Sequence, residues 1–378
     1  MDITQPLALL GGMTAQRFMQ RHWQKKPLLV RGAMPGLQPL LTRAKLFELA
    51  SRDQVESRLV VRLGNRWTLR RGPLPRRALP PLSQPAWTLL LQGLDLHLDE
   101  AQRLLAQFRF VPDARMDDLM VSWASDGGGV GPHFDSYDVF LLQAQGRRRW
   151  RIGRQTDLTL HDGVPLKILA NFAPQEEYVL DAGDMLYLPP RYAHDGIALG
   201  ECQTYSIGFR APGRGELARE LLQRVAEQAD DVVGAALYRD PGAAATATPG
   251  AVPGELQRFA VEAMQAVLKD PLALDRALGE YLTEPKPSVW FEAAKVPRQL
   301  GALALDRRSR MMHDSAHVFL NGDSWRASGR DAVLMRRLAD ERQLGSADVG
   351  RASEAARGLL RDWFEAGWLH ARKESEHG

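Results

Sequence analysis

The chain has 378 residues, 44% of them hydrophobic and 25% charged, with a formal charge of +3. That length favours two or three domains and ample core, the composition is that of an ordinary soluble globular protein, and the charge is too small to mark a nucleic-acid binder by itself. A single cysteine, Cys202, excludes an internal disulfide, and no apolar run approaches the roughly 18 residues that span a bilayer.

The opening MDITQPLALLGGMTAQRF lacks a basic segment ahead of its short apolar run, so neither a signal peptide nor a membrane partner is expected, and the protein is placed in the cytoplasm. Up to residue 211, LFELA and AQRLLAQF read as helical turns. RLVVRLG, DDLMVSW, VFLLQAQ, RRWRIG, DMLYLPP and QTYSIGF read as strands bounded by Gly, Pro or Asp. Many short strands without strand–helix alternation predict an antiparallel barrel or jelly roll.

From 212 to 287 the texture is helical. Leu217, Leu221, Leu222 and Val225 share one face, a Pro/Gly/Ala tract at 241–254 reads as a flexible linker, and Leu256, Phe259, Ala260, Ala263, Val267 and Leu268 recur at helical spacing before Pro271 interrupts them. These helices are too few to bury their apolar faces alone and need another surface or a second subunit. From 288 to 378, two strand-like runs (AHVFLNG, DSWRAS) precede helical DAVLMRRLADER and ASEAARGLLRDWFEAG and a closing WLHARK. That order is compatible with a winged-helix-like domain, a module that serves DNA or protein contacts.

Two stretches carry the chemistry. In GPHFDSYDVF, His133 and Asp135 are two positions apart, and on an extended strand both would emerge on one face. In DAGDMLYLPPRYAHDG, a turn at Gly183–Asp184, a buried run and a Pro189–Pro190 stop present His194 at the lip of the next turn. Either stretch alone is a weak signal. Together, Gly127…His133-x-Asp135…Gly146 and Gly183…Pro189…His194 resemble the paired motifs of the cupin superfamily, with Asp135 replacing the usual second histidine and Arg191 replacing a glycine after the prolines. Two histidines and a carboxylate form the facial triad of non-haem Fe(II) oxygenases. The common reductant for such a site, 2-oxoglutarate, needs a cation for its distal carboxylate. In GRRRWRIG, alternation turns Arg148 inward with Trp150 and Ile152, while Arg147, Arg149 and Arg151 turn out. A buried guanidinium needs an anion, either a protein carboxylate or the cosubstrate. His22, His97, His161, His313, His317 and His370 show no paired ligand spacing, and GGGVG lacks the following GK[ST] of a phosphate loop.

DDLMVSW, GGGVGPHFDSYDVFLLQAQGRRRWRIG, GDMLYLPPRYAHDG, YSIGFRAPGR and the early FMQRHWQKKPLLVRG together resemble the bacterial JmjC/cupin-type ribosomal oxygenases, which hydroxylate an arginine of ribosomal protein L-sixteen. The resemblance is dense over residues 17–212. It implies an α+β chain: a double-stranded β-helix (JmjC jelly roll) over 1–211, a helical dimerisation region over 212–287 and a winged-helix-like domain over 288–378. It implies Fe(II) on His133, Asp135 and His194, with 2-oxoglutarate on Arg148 and a polar contact from Ser206. It places Asp118, Met120 and Tyr137 at a substrate-arginine pocket. The expected partners are a ribosomal protein substrate and a second copy of the chain, with no nucleic-acid binding by the C-terminal domain. The residues leave open histidine hydroxylation or demethylation by the same chemistry, a non-oxygenase metal cupin and a DNA-binding regulator. Asp118, as a counter-charge for a cation, favours a basic side chain.

Overall fold

The computed structural model describes residues 2–64 and 66–372. It divides into two compact units, Met1–Ala211 and Pro212–Gly378.

The first unit opens with a two-strand ladder, Pro6–Leu7 (β1) and Met13–Thr14 (β2), and helix α1 (Ala15–Arg21), which is capped by the Thr14 hydroxyl. Strand β3 (Leu28–Val30), helix α2 (Arg43–Ala50), strands β4 (Ser57–Leu63), β5 (Arg66–Arg71) and β6 (Trp87–Leu91), and helix α3 (Asp99–Ala106) follow. The remaining strands are β7 (Met116–Ala124), β8 (Val139–Gly153), β9 (Glu176–Leu180), β10 (Met185–Leu188) and β11 (Ala193–Phe209). All nine from β3 onward form one antiparallel sheet in the order β3-β10-β8-β11-β7-β6-β4-β5, with β9 pairing off this path with the Arg148–Ile152 part of β8.

Strands β8 and β11 are longer than the sequence runs suggest. VFLLQAQ and RRWRIG are halves of one strand, and β11 runs unbroken from Ala193 to Phe209. Their pairing shifts register between Leu199 and Thr204, and bulges of this kind bend strands. Gly146, at the bend, has a positive φ of 63° and lies where a Cβ would meet the Glu201 carbonyl at 2.2 Å. The bend lets one strand pair serve both walls of a β-helix.

Alternation along the strands then sorts the side chains. Leu119, Val121, Trp123, Phe140, Leu142, Tyr205 and Ile207 join a core with Phe18 and Leu46 of helices α1 and α2. Val139, Leu141, Trp150, Ile152, Leu186 and Leu188 form a second, separate cluster, on the face that also carries the even-numbered residues of β7. The early FMQRHWQKK segment is pinned by Phe18 and Trp23, which pack on Tyr187. It is also held by Gln24, whose backbone and side-chain N–H groups reach the Tyr187 hydroxyl and Asp138.

The second unit begins with α4 (Arg214–Glu227), α5 (Ala229–Val233), α6 (Gly254–Leu268) and α7 (Pro271–Thr283). Residues 241–253 between α5 and α6 are exposed and irregular. Pro271 stands in the first turn of α7 with the Asp270 carboxylate capping Leu272 N–H at 3.0 Å. A second core gathers around two three-stranded sheets: β12 (Leu303–Leu305), flanked by β16 (Gln343–Leu344) and β17 (Leu369–Ala371), and β13 (Met311–His313), β14 (His317–Leu320) and β15 (Asp323–Arg326). Helices α8 (Gly329–Glu341), α9 (Ser346–Arg351) and α10 (Glu354–Glu365) pack on it through Leu338, Val349, Leu360 and Trp363.

Candidate metal centre

His133 and Asp135 do not lie on a strand. Gly131 has φ +83° and Pro132 has no N–H to donate, so the segment makes only an isolated bridge. In it, His133 N–H donates to the His194 carbonyl (2.9 Å) and His194 N–H to the His133 carbonyl (2.8 Å). His194 is likewise not on a turn but is the second residue of β11. The bridge fixes the two imidazoles side by side, with ring centroids 4.2 Å apart. A ligand atom from each of His133, Asp135 and His194 lies within 4.8 Å of the others, the one such trio among the described residues.

Local hydrogen bonds prepare the donors. His133 Nδ1 faces the Gly131 carbonyl and His194 Nδ1 the Tyr192 carbonyl, both at 2.9 Å. A carbonyl only accepts, so each Nδ1 carries the proton and each Nε2 keeps its lone pair. Nε2 of His194 lies 3.7 Å from Asp135 Oδ2. Burial, and next the neighbouring His133, hold the His194 imidazole down at about 4, which keeps it neutral and able to bind a cation. Arg191 has φ +64° and its N–H donates to the Asp135 carbonyl at 2.7 Å. The residue that stands where the cupin motif has glycine thus adopts the glycine-like conformation and secures the loop bearing Asp135 from behind.

Arg148 is 4% exposed. Its Nη1 donates to Ser122 Oγ at 3.0 Å, its guanidinium lies 5.7 Å from the Trp150 ring, and Trp150 in turn lies 5.9 Å from the His194 ring. The remaining Nε and Nη2 are buried with no partner among the described residues, and no carboxylate there pairs with it. A charged group buried in this way is costly unless an anion completes it. A carboxylate from a small dicarboxylate fits this fork.

The third group lines the same face. Ser206 is directly opposite Met120 on one side and Leu141 on the other, and Gly208 is opposite Asp118. Asp118 is 2% exposed and accepts from Gln92 Nε2 at both oxygens (2.9 and 2.8 Å), while Arg58 donates to Gln92 Oε1 at 2.9 Å and so fixes which way the amide points. A Cβ on Gly208 would sit 4.0 Å from both Asp118 Oδ1 and the Tyr137 ring, so the absent side chain leaves room between them. Tyr137 keeps its proton well above the usual range, through lost hydration first and the carboxylates of Asp135, Asp118 and Asp117 next. Asp117, on the alternate face, is more exposed than Asp118.

Sequence reasoning missed Ser122, Gln92 and Arg58. The alternation that brings out Asp118 and Met120 also reaches Ser122. Gln92 and Arg58 meet Asp118 only through strand order, for which no local pattern exists.

A jelly roll of bent antiparallel strands with a His-Asp-His cluster defines the class of JmjC-type cupins, and the comparisons agree. Residues 103–217 match the JmjC domain and residues 266–370 a ROXA-like winged helix. The chain is 34% identical over 286 residues to the ribosomal protein uL16 3-hydroxylase of Escherichia coli K12, covering 75% of this chain and 74% of that one. It is 36% identical over 210 residues to a probable ribosomal oxygenase of Haemophilus influenzae, covering 54% and 52%. The solved structure of E. coli ycfD superposes with a TM-score of 0.81 at 29% identity over 94% of this chain and 97% of that one. The same ribosomal oxygenase in complex with cobalt and 2-oxoglutarate gives 0.79 at 28% over 95% and 98%. The chain belongs to the JmjC-type ribosomal oxygenases.

Proposed function

We propose that this chain is an Fe(II)- and 2-oxoglutarate-dependent protein hydroxylase acting on an arginine side chain of ribosomal protein uL16. The observation that carries the reading is the pairing of two imidazoles and a carboxylate, brought to one point, with a buried arginine that retains two nitrogens without a partner among the described residues. His133, Asp135 and His194 would hold the iron, and Arg148 the distal carboxylate of 2-oxoglutarate, with Ser122 alongside. When bound, iron and 2-oxoglutarate supply dioxygen activation, inserting one oxygen into an unactivated C–H bond and releasing succinate and carbon dioxide.

The chain's own residues supply position. The Nδ1–H bonds to Gly131 and Tyr192 hold both imidazoles in the ligating tautomer, and Arg191 N–H fixes the loop bearing Asp135. Asp118, steadied by Gln92 and Arg58, would receive the substrate guanidinium. Tyr137 and Met120 would flank its alkyl stem, and Ser206 would add a polar contact. An anionic pocket floor, of charge opposite to a guanidinium, favours arginine over histidine as the target.

Anaerobic titration with Fe(II) and 2-oxoglutarate tests the iron site. The weak visible charge-transfer band of the chelate should form with the parent protein, vanish in His133→Ala and weaken in Arg148→Ala. A folded parent protein that shows no band rules the reading out.

The helical stretch 212–287 serves dimerisation in this reading. On α6, Val261, Met264 and Leu268 are exposed on one side of the helix, with Met264 at 57%, an apolar surface that a second copy would cover. No described helix is long and apolar enough to cross a membrane, and action on a ribosomal protein supports a cytoplasmic setting.

A further inference from the structure

We propose that the β4–β5 hairpin and the turn after it bind the phosphate backbone of RNA beside the iron site. The choice of RNA as the polyanion rests on the ribosomal-protein reading above; the charge argument does not. Between Ser57 and Leu94 the chain has seven arginines and no aspartate or glutamate, although 46 acidic residues occur in the 378. Strand β5 is the edge of the nine-stranded sheet, and Arg62, Arg66, Arg70, Arg71, Arg76 and Arg77 are all exposed.

None of these arginines has a carboxylate partner among the described residues. Arg70 and Arg76 donate only to the carbonyls of Ala78, Leu79 and Pro80. Elsewhere in the same unit arginines do find carboxylates: Arg31 with Asp184, Arg43 with Glu201, Arg109 with Asp113 and Arg151 with Asp195. An arginine-rich composition therefore does not by itself leave arginines unpaired. Arg58 and Arg71 are moreover directly opposite on neighbouring strands, an arrangement of like charges that costs stability.

Charge on an edge strand blocks unwanted strand pairing. Carboxylates would serve that purpose as well, and Arg76 and Arg77 lie beyond the strand. The patch also cannot be reading the basic side chain bound at Asp118, because it has the same sign. Guanidinium forks match phosphate oxygens, and Trp67, half-buried with the Arg62 guanidinium 5.6 Å from its ring, gives an aromatic component. The Trp67 ring reaches within 3.2 Å of the Cβ position of Gly131, whose carbonyl orients His133. RNA on this hairpin would therefore lie at the rim of the metal centre, suited to a substrate protein that is itself associated with RNA.

The test is fluorescence anisotropy of a labelled single-stranded RNA with the full chain, parent against the triple variant Arg66→Gln/Arg71→Gln/Arg77→Gln, between about 50 and 200 mM salt. These three side chains make no hydrogen bond or ion pair in the described structure. Each lost phosphate contact lowers the slope of log affinity on log salt by about 0.7, so the triple variant should have a slope shallower by about 2. It should keep the Fe(II)–oxoglutarate band, which reports that the site is intact. No RNA binding by the parent, an unchanged slope in the variant, or equal displacement by polyglutamate overturns the proposal, the last pointing to an acidic protein instead. A parent protein that shows the band but binds no RNA refutes this inference alone, whereas a missing band refutes the oxygenase reading.

Discussion

At the scale of single residues, the site is set by hydrogen bonds that fix protons. The His194 pKa of about 4, below the ordinary 6.5, means that the unfolded chain binds the proton more readily than the folded one. The folded state therefore gains stability from His194 as pH rises from about 4 to 6.5, and that stability is lost as pH falls through the same window. In the metal-free protein, nitrogen NMR of the histidine rings at pH 5.5 should find His194 neutral with its proton on Nδ1. A doubly protonated ring at that pH contradicts the assignment. Arg191 gives a second test, since its left-handed backbone costs a non-glycine residue about 1–2 kcal/mol. Arg191→Gly relieves this while adding unfolded-chain entropy, so its unfolding free energy from urea titration should stay within about 1 kcal/mol of the parent. Arg191→Val should fall well below both, because a β-branched residue fits that conformation poorly; equal midpoints for the two variants would remove the strain argument. The His133–Asp135–His194 cluster and the inward turn of Arg148 were legible in the sequence because motif spacing and two-residue alternation are local. The Gln92–Asp118 bond was not, because it joins strands whose adjacency is set by the whole sheet.

At the scale of elements, the bent pair β8 and β11 does most to build the site. The sequence divides each of them, because the glycines and polar residues near Gly146 and Gly200 look like strand ends; in the structure they are bends within continuous strands. Strands β3, β5, β6 and β9 carry weaker patterns: β6 (WTLLL) is buried throughout and shows no alternation. His133 and Asp135 show the reverse case, in which an assumed strand proves to be a bridged loop that still brings both side chains to one point. Gly196 marks how tight the pair is. A Cβ there would come within 2.6 Å of the Trp150 ring, which packs near His194. Gly196→Ala should therefore cost about 1–3 kcal/mol in unfolding measurements and weaken Fe(II) binding in the anaerobic titration. Unchanged iron affinity would show that Trp150 does not position the ligand.

At the scale of the whole molecule, helix α6 of the second unit carries apolar side chains that are exposed among the described residues. Their periodicity made this visible in the sequence, since Leu256, Phe259 and Val267 repeat at helical spacing while the small core of Val225, Val267 and Ala277 uses only part of that surface. Sedimentation of the parent should give a dimer, and Val261→Glu with Met264→Glu should give a folded monomer. A parent that sediments as a monomer removes the dimerisation reading.

The central claim is tested most directly by aerobic turnover. A uL16 peptide incubated with the chain, Fe(II) and 2-oxoglutarate should gain the mass of one oxygen on a single arginine, with succinate formed in equal amount. Asp118→Asn should lower kcat/KM by about tenfold to a hundredfold, the worth of a charge-assisted hydrogen bond. Succinate formation with no oxygen on the peptide, or an oxygen placed on a residue other than arginine, would contradict the account.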